Sequence, residues 1–206
     1  YDEDRYLVTF SRMGKVKKSP LSDYKIADVD GLQDMKLADG DAVAAALLSR
    51  GQGEYLVTTN TAQTLRFKDD ALRAQGRVGQ GVAAIALGQN AQVVSASYLD
   101  SEIATDSGNF LSLLVVSESG LGKKVPLSQY PAKGRATAGV VTTELVGRDR
   151  VLQTMIIDEK DHLLLSWKNE EGEQVTVIKA VELKAFTRAR KGESLVKGRV
   201  LGVVKL

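Results

Sequence analysis

At 206 residues with 43% apolar content, the chain is long enough to bury a substantial core and need not divide into two domains. It has no cysteine, which excludes a disulfide framework and any thiolate metal site, and no run approaches the roughly 18 apolar residues of a membrane-spanning helix. The net charge of +2 is too small to announce a nucleic-acid partner, so such a function has to come from where Lys and Arg recur.

The opening Tyr1-Asp2-Glu3-Asp4-Arg5 lacks a basic-then-apolar secretory pattern and reads as the cut edge of a longer chain. Tyr6-Leu7-Val8-Thr9 then forms an apolar run that returns unchanged as Tyr55-Leu56-Val57-Thr58. A turn, Ser11-Arg12-Met13-Gly14, leads into the basic strand Lys15-Val16-Lys17-Lys18-Ser19-Pro20 and on to Tyr24. Asp41 to Leu48 is rich in alanine and has high helix propensity, but its place in the repeat predicts a strand.

The second repeat carries Arg66-Phe67-Lys68 after its turn, then Gly76-Arg77-Val78-Gly79-Gln80-Gly81-Val82. The third opens its turn at Ser117 and continues Leu121-Gly122-Lys123-Lys124-Val125-Pro126-Leu127-Ser128-Gln129-Tyr130, which matches the first repeat without a gap at Ser, Gly, Lys-Lys, Pro-Leu-Ser and Tyr. Lys133-Gly134-Arg135-Ala136-Thr137-Ala138-Gly139-Val140 then repeats the pattern Gly-Arg-x-x-x-Gly-Val. The fourth repeat is divergent. His162 to Trp167 is its first strand and Gln174 to Val177 its return strand, and Arg190 with Leu195 keeps the spacing of Arg135 to Val140 without the glycine.

Four units follow, near 5–52, 53–107, 108–160 and 161–206, within a single domain spanning 1–206. Their size and short apolar runs between Gly, Asn and Asp turns predict an all-β, propeller-like stack of about four antiparallel strands per unit, each burying its apolar face on its neighbours.

The run Val8 to Tyr24, together with Arg66-Phe67-Lys68, Gly76-Arg77 and Gly122 to Thr137, resembles the C-terminal domains of the A subunits of bacterial gyrase and topoisomerase IV. The resemblance is specific through the third repeat and weakens in the fourth. It implies a β-pinwheel whose blades exchange strands, with duplex DNA bent around a basic rim. It also implies as partners the ATPase B subunit together with the catalytic core of its own A subunit, in the cytoplasm at the nucleoid. The cleavage tyrosine, metal-binding carboxylates and ATPase site of that family lie in regions absent here, so the resemblance implies no catalysis and no cofactor in this chain.

Gyrase A carries a seven-residue Gln-Arg-Arg-Gly-Gly-Lys/Arg-Gly box tied to chiral wrapping. The nearest match, Gln75-Gly76-Arg77-Val78-Gly79-Gln80-Gly81, has lost one Arg and the later basic residue. At the position expected after the first repeat, Tyr24 to Met35 has no box and is acidic, which resembles topoisomerase IV more than gyrase.

The residues themselves place Lys15, Lys17 and Lys18, then Arg66 and Lys68, then Lys123 and Lys124 on the strand after the first turn of successive repeats. Stacked, they would draw a basic arc suited to phosphates and to sequence-independent, salt-sensitive binding, fading at Val175-Thr176-Val177. Lys133 and the loop arginines Arg77, Arg135 and Arg190 would add phosphate contacts. Without the resemblance, a solvated face is the commoner reading of such strands.

Tyr24 and Tyr130 read as packing residues whose hydroxyls need partners. The lone His162 reads as structural, and no carboxylate group has EF-hand spacing. A propeller that recognises protein through its loops is the competing reading. A sugar-processing propeller lacks an evident carboxylate pair.

Overall fold

The computed structural model describes residues 5–25, 31–103 and 111–206. The opening residues 1–4, and residues 26–30 within the acidic stretch, lie outside the described residues.

Each of the four sheets is seeded by a hairpin. In the first, β1 (Tyr6–Ser11) pairs antiparallel with β2 (Lys15–Pro20), and β3 (Val43–Ser49) returns on the other side of β1. β3 is the alanine-rich run with high helix propensity. Register from Tyr6↔Ser49 to Ser11↔Val43 gives it a full ladder of backbone partners, and tertiary pairing overrides local preference.

The second sheet is built in the same way from β4 (Gly53–Thr59), β5 (Gln63–Lys68) and, after the short β6 (Val82–Ala83), the strand β7 (Val93–Asp100). In the third, β8 (Ser112–Ser117), β9 (Leu121–Pro126) and β11 (Val151–Ile157) are interrupted by β10 (Val140–Val141). The fourth has β12 (His162–Asn169), β13 (Gly172–Lys179) and β15 (Arg199–Lys205), with β14 (Glu193–Ser194) between the last two in sequence.

The short strands leave home. β6 belongs by sequence to the second unit yet pairs with β2, β10 of the third unit pairs with β5, and β14 of the fourth pairs with β9. Three sheets therefore have four strands, in the orders β3-β1-β2-β6, β10-β5-β4-β7 and β11-β8-β9-β14. The fourth, among the described residues, has three, in the order β13-β12-β15.

Alternate residues of one strand feed two different cores, which is why the strands read as continuous apolar runs. Tyr55 and Val57 join Val8, Phe10 and Val16 between the first two sheets, while Leu56 between them turns to Leu113, Val115 and Val125 of the third. Leu114 and Val116 face Leu163, Leu165 and Val203 of the fourth. Each such side chain contributes roughly 1.5–3 kcal/mol by leaving water.

The strands that close each sheet meet through polar contacts. Thr154 N donates to Ser95 Oγ at 2.9 Å and Thr154 Oγ1 to Thr58 Oγ1 at 3.0 Å, while Gln153 Nε2 donates to Val203 O at 2.9 Å. No helix of the described residues is long and apolar enough to cross a membrane.

Candidate nucleic-acid interface

The recurring basic strand is where the structure departs most from the sequence reading. Lys18, Arg66 and Lys124 occupy the same place in three successive sheets, marked by one repeated contact: Gln75 N to Lys18 O at 2.8 Å, Lys133 N to Arg66 O at 2.8 Å and Phe186 N to Lys124 O at 3.0 Å. Each of these cations reaches into the 3-10 turn of the next unit. Lys18 Nζ pairs with Asp69, the first residue of the turn Asp69–Ala71, which also accepts from Ser49 Oγ at 3.0 Å and from the Tyr55 hydroxyl. Arg66 is held by Glu54 and donates from Nη1 to Leu127 O at 3.1 Å and Tyr130 O at 3.2 Å. Lys124 Nζ donates to Ala180 O at 3.0 Å and Glu159 Oε1 at 2.6 Å.

Lys18 and Lys124 are 7% and 6% exposed, so these two ammoniums are spent on joining blades and are withdrawn from any phosphate. Arg66 is half-buried and fully engaged. Their neighbours Lys17 and Lys123 are each 1% exposed. Lys17 Nζ donates to Asp34 Oδ1 at 2.8 Å and to Ser19 Oγ. Lys123 Nζ is capped by the carbonyls of Thr187 at 2.9 Å, Arg188 at 2.7 Å and Arg190. Burial, and then the nearby Arg190 charge, push the Lys123 pKa down to about 8. The expected arc of Lys17, Lys18, Lys123 and Lys124 therefore gives way to an internal scaffold. The reason is that the next unit's crossing segment covers the face of the strand that the sequence reading left open.

Asp34 sits in the acidic stretch that replaces a box after the first repeat. Its burial raises the carboxyl pKa, but hydrogen bonds from Lys17, from Thr9 Oγ1 at 2.5 Å and from the Tyr24 hydroxyl outweigh it and hold the group below 3.8. Tyr24 and Tyr130 are packing residues with satisfied hydroxyls, Tyr130 pairing with Thr142 Oγ1 at 2.5 Å.

The crossing segments also explain the Gly-Arg pattern. Gly81, Gly139 and Gly192 lie against the same carbonyl of the preceding sheet, on Val16, Thr64 and Gly122, where a Cβ has no room. At Gly81 the Cβ would stand 2.5 Å from Val16 O, and at Gly192 it would stand 2.7 Å from Gly122 O. Arg135 Nη1 donates to Ala83 O at 2.9 Å and Arg188 Nη1 to Val141 O at 3.3 Å, equivalent bonds to the end of the preceding crossing strand.

Arg188, rather than Arg190, is thus the fourth unit's counterpart of Arg135, and its motif Arg188-Ala189-Arg190-Lys191-Gly192 keeps the glycine. The sequence register was two residues off. The parallel bridges Arg66↔Ala132 and Lys124↔Ala185 fix a shift of 53, under which the two loops align without a gap.

The degenerate box runs along such a crossing segment. Gln75 contacts Lys18 O, Val78 N donates to Asp34 O at 2.7 Å, and Gly79 bridges Met35. Gln80 is exposed, while Arg77 is half-exposed with no guanidinium partner among the described residues. Lys15, Lys68, Lys133 and Arg190 are exposed, and Arg190 lies over the Phe186 ring at 5.7 Å.

Comparison with known proteins bears on this architecture directly. A family model described as the DNA gyrase C-terminal domain, β-propeller, matches residues 5–50, 53–100 and 111–158, one segment for each of the first three sheets. The chain belongs to the DNA gyrase C-terminal domain family. This gyrase-family domain is 29% identical over 195 residues to the DNA gyrase A protein of Pseudomonas aeruginosa, covering 94% of this chain and 19% of that protein. With the DNA gyrase A protein of Deinococcus deserti it shares 32% over 157 residues, 75% of this chain and 19% of the relative. It therefore spans about a fifth of the length of the curated relatives it matches.

Among solved structures, the C-terminal domain of DNA topoisomerase IV superposes with a TM-score of 0.89 at 23% identity, over 100% of this chain and 63% of that one. The DNA gyrase A C-terminal domain gives 0.82 at 21%, over 99% and 66%. These likenesses establish the β-pinwheel fold.

Sequence reasoning missed the exposed cations of the crossing segments: Arg73, Lys184 and Lys191. Arg73 and Lys184 stand two residues before the repeated contacts at Gln75 and Phe186, so alignment on the 3-10 turns would have found them.

Proposed function

We propose that this gyrase-family domain is a non-catalytic module that binds and bends duplex DNA without base reading, through exposed cations on its crossing segments. The observation that carries the reading is their placement. Arg73 and Arg77 lie on the segment crossing to the first sheet, Lys133 on that crossing to the second, and Lys184, Arg190 and Lys191 on that crossing to the third. Except for Arg77 they are exposed, and among the described residues only Lys184 is engaged by a carboxylate, the exposed Glu193 at 2.9 Å. Cations set along successive blades suit a duplex backbone, whose bending over 20–30 bp costs on the order of 1–6 kcal/mol.

Within a full-length topoisomerase, the domain would present DNA to the catalytic core of its own chain, which works with an ATPase B subunit in the cytoplasm. The degenerate box at Gln75–Gly81 favours a topoisomerase IV role over gyrase-type chiral wrapping. Ligation of nicked plasmid in the presence of the domain separates these: little change in linking number supports bending, and a large positive shift supports wrapping.

DNA binding itself is tested by replacing Lys133, Arg190 and Lys191 with Glu and measuring affinity across salt. The slope of log affinity against log salt should fall by about 0.9 for each phosphate contact removed. Unchanged affinity in the folded triple variant would sink the reading, and a retained protein partner would then favour the interaction-module alternative.

A further inference from the structure

Lys123 differs from the other buried or engaged cations of the recurrent strands in having no countercharge. Lys17 is paired with Asp34, Lys18 with Asp69, Arg66 with Glu54 and Lys124 with Glu159, whereas Lys123 has no carboxylate partner among the described residues. Its ammonium is capped instead by the carbonyls of Thr187, Arg188 and Arg190. Glu144 and Asp149 line the same narrow cleft without pairing with it, and Asp149 is taken up by the N–H groups of Ser119 and Arg150. Glu193 on β14 is paired with Lys184, and the charges on the loop above, Arg188, Arg190 and Lys191, are all positive. A buried cation ringed by neutral dipoles and further cations leaves a positive field open to an anion from outside.

The loop over Lys123 has a form of its own. Val78, Ala136 and Ala189 are equivalent in the three crossing segments. Val78 and Ala136 are left-handed, at φ +66° and +62°, and each spends its N–H on a carbonyl of the preceding unit, Asp34 O at 2.7 Å and Ala84 O at 2.7 Å. Ala189 is not left-handed, and its N–H has no acceptor among the described residues. The glycine that follows changes with it: Gly81 and Gly139 stand at φ +70° and +77°, and Gly192 lies outside that region. What differs beneath the loop is the side chain. The second unit places the buried Leu65 where the third has Lys123, and the first unit's Lys17 turns to Asp34.

The C=O and N–H of a trans peptide point in opposite directions, so the carbonyls that converge on Lys123 turn the following N–H groups away from it. That of Arg188 donates to Gln129 Oε1 at 3.0 Å. Those of Ala189 and Lys191 meet no acceptor among the described residues, and Ala189, Arg190 and Lys191 are exposed. Two backbone donors, a guanidinium and an ammonium thus share one short turn over a buried positive charge, a combination suited to a phosphate. The openness belongs to the loop itself, since Lys133, Gly134, Ala136 and Thr137 of the preceding loop are also exposed with the fourth unit in place.

We propose that the turn Arg188–Lys191 is a phosphodiester anchor, at which the N–H groups of Ala189 and Lys191 and the side chains of Arg190 and Lys191 hold one phosphate of bound duplex DNA, with Lys123 as the positioning residue that sets the turn. The anchor rests on the DNA-binding reading and adds a particular contact to it. Lys123 has to be protonated to gather the three carbonyls. Burial and the Arg190 charge bring its pKa down to about 8, and a phosphate at the turn raises it again, so binding takes up a proton near that pH. Affinity for DNA therefore falls as pH rises through 8.

Amide resonances of the nitrogen-15-labelled chain, followed while a short duplex is added, test the contact. The amide protons of Ala189 and Lys191 should move downfield, while those of Val78 and Ala136, already bonded inside the fold, should stay. Inorganic phosphate, the second probe, should move the same two amides only at far higher concentration. Lys123→Leu, which installs the second unit's residue, should weaken duplex binding about tenfold and lower the slope of log affinity against log salt by about 0.9. It should also abolish the fall in affinity between about pH 7 and pH 9.5 that the parent shows. Should that variant unfold by circular dichroism, the parent's own amide shifts and pH profile decide. A chain that binds no duplex overturns the anchor together with the DNA-binding reading. A chain that binds duplex with the Ala189 and Lys191 amides unmoved, or with affinity flat across that pH range, overturns the anchor alone.

Discussion

Replacing Lys18 by Met separates the scaffold role of the recurrent cations from a DNA role. The methionine fills much of the same space, so the loss is electrostatic. Asp69, 1% exposed, keeps the hydrogen bonds from Ser49 and Tyr55 but loses its only countercharge among the described residues, and the contact of the Lys18 ammonium with the Tyr6 ring, 4.2 Å to its centroid, goes too. Breaking a buried pair from one side costs about 3–5 kcal/mol, a large part of a domain's total stability. The double change Lys18→Met/Asp69→Asn should recover most of that, because no charge is then left buried. Urea unfolding by fluorescence at Trp167 and by circular dichroism measures both, and DNA affinity of the folded single variant should equal that of the parent. A loss below about 1 kcal/mol, the value of a surface pair, would show that the junction is wet and the reasoning wrong.

Four further variants test the same geometry. Gly139→Ala places a Cβ against Thr64 O and 2.7 Å from its carbonyl carbon, at φ +77°, and should cost at least about 2 kcal/mol in chemical denaturation. Gly134→Ala, with nothing within 4 Å, should stay within about 0.5 kcal/mol. Lys123 carries a folded pKa near 8 against 10.5 for the free side chain, so the unfolded chain binds the extra proton between those values. Stability should therefore rise as pH climbs from about 8 to 10.5, by up to about 3 kcal/mol, and Lys123→Met should lose that rise in thermal melts. Asp34, held below 3.8, stabilises the fold above that pH and loses its contribution as pH falls through its folded value; Asp34→Asn should flatten acid unfolding in that range.

The blades were legible because their determinants are local. Repeated strand runs, turn glycines and the Gly-Arg loops all appear within a few residues of one another, and the position of Asp41–Leu48 in the repeat outweighed its helix propensity. Strand exchange was legible only through the family resemblance. A two-residue strand such as β6 leaves no periodicity, and its partner β2 lies more than sixty positions earlier. The register of the fourth loop failed for a related reason: with Lys-Lys absent from β13, nothing in the sequence tied Arg188 to Arg135 until the bridges at Ala132 and Ala185 did.

The failure at the lysines is the more instructive one. A charge that recurs in strict register across stacked repeats reports an environment that recurs in strict register, and in this architecture that environment is the junction between blades. Lys18, Arg66 and Lys124 align because each must reach the first residue of the next 3-10 turn within hydrogen-bonding distance. A phosphate backbone sets no such constraint, since it is contacted by flexible side chains and tolerates displacement along its length. Cations that serve DNA, as proposed here, would need only to share a segment, and the exposed ones do: Lys133, Arg190 and Lys191 fall at different positions of the crossing segment, and only Arg73 and Lys184 share one.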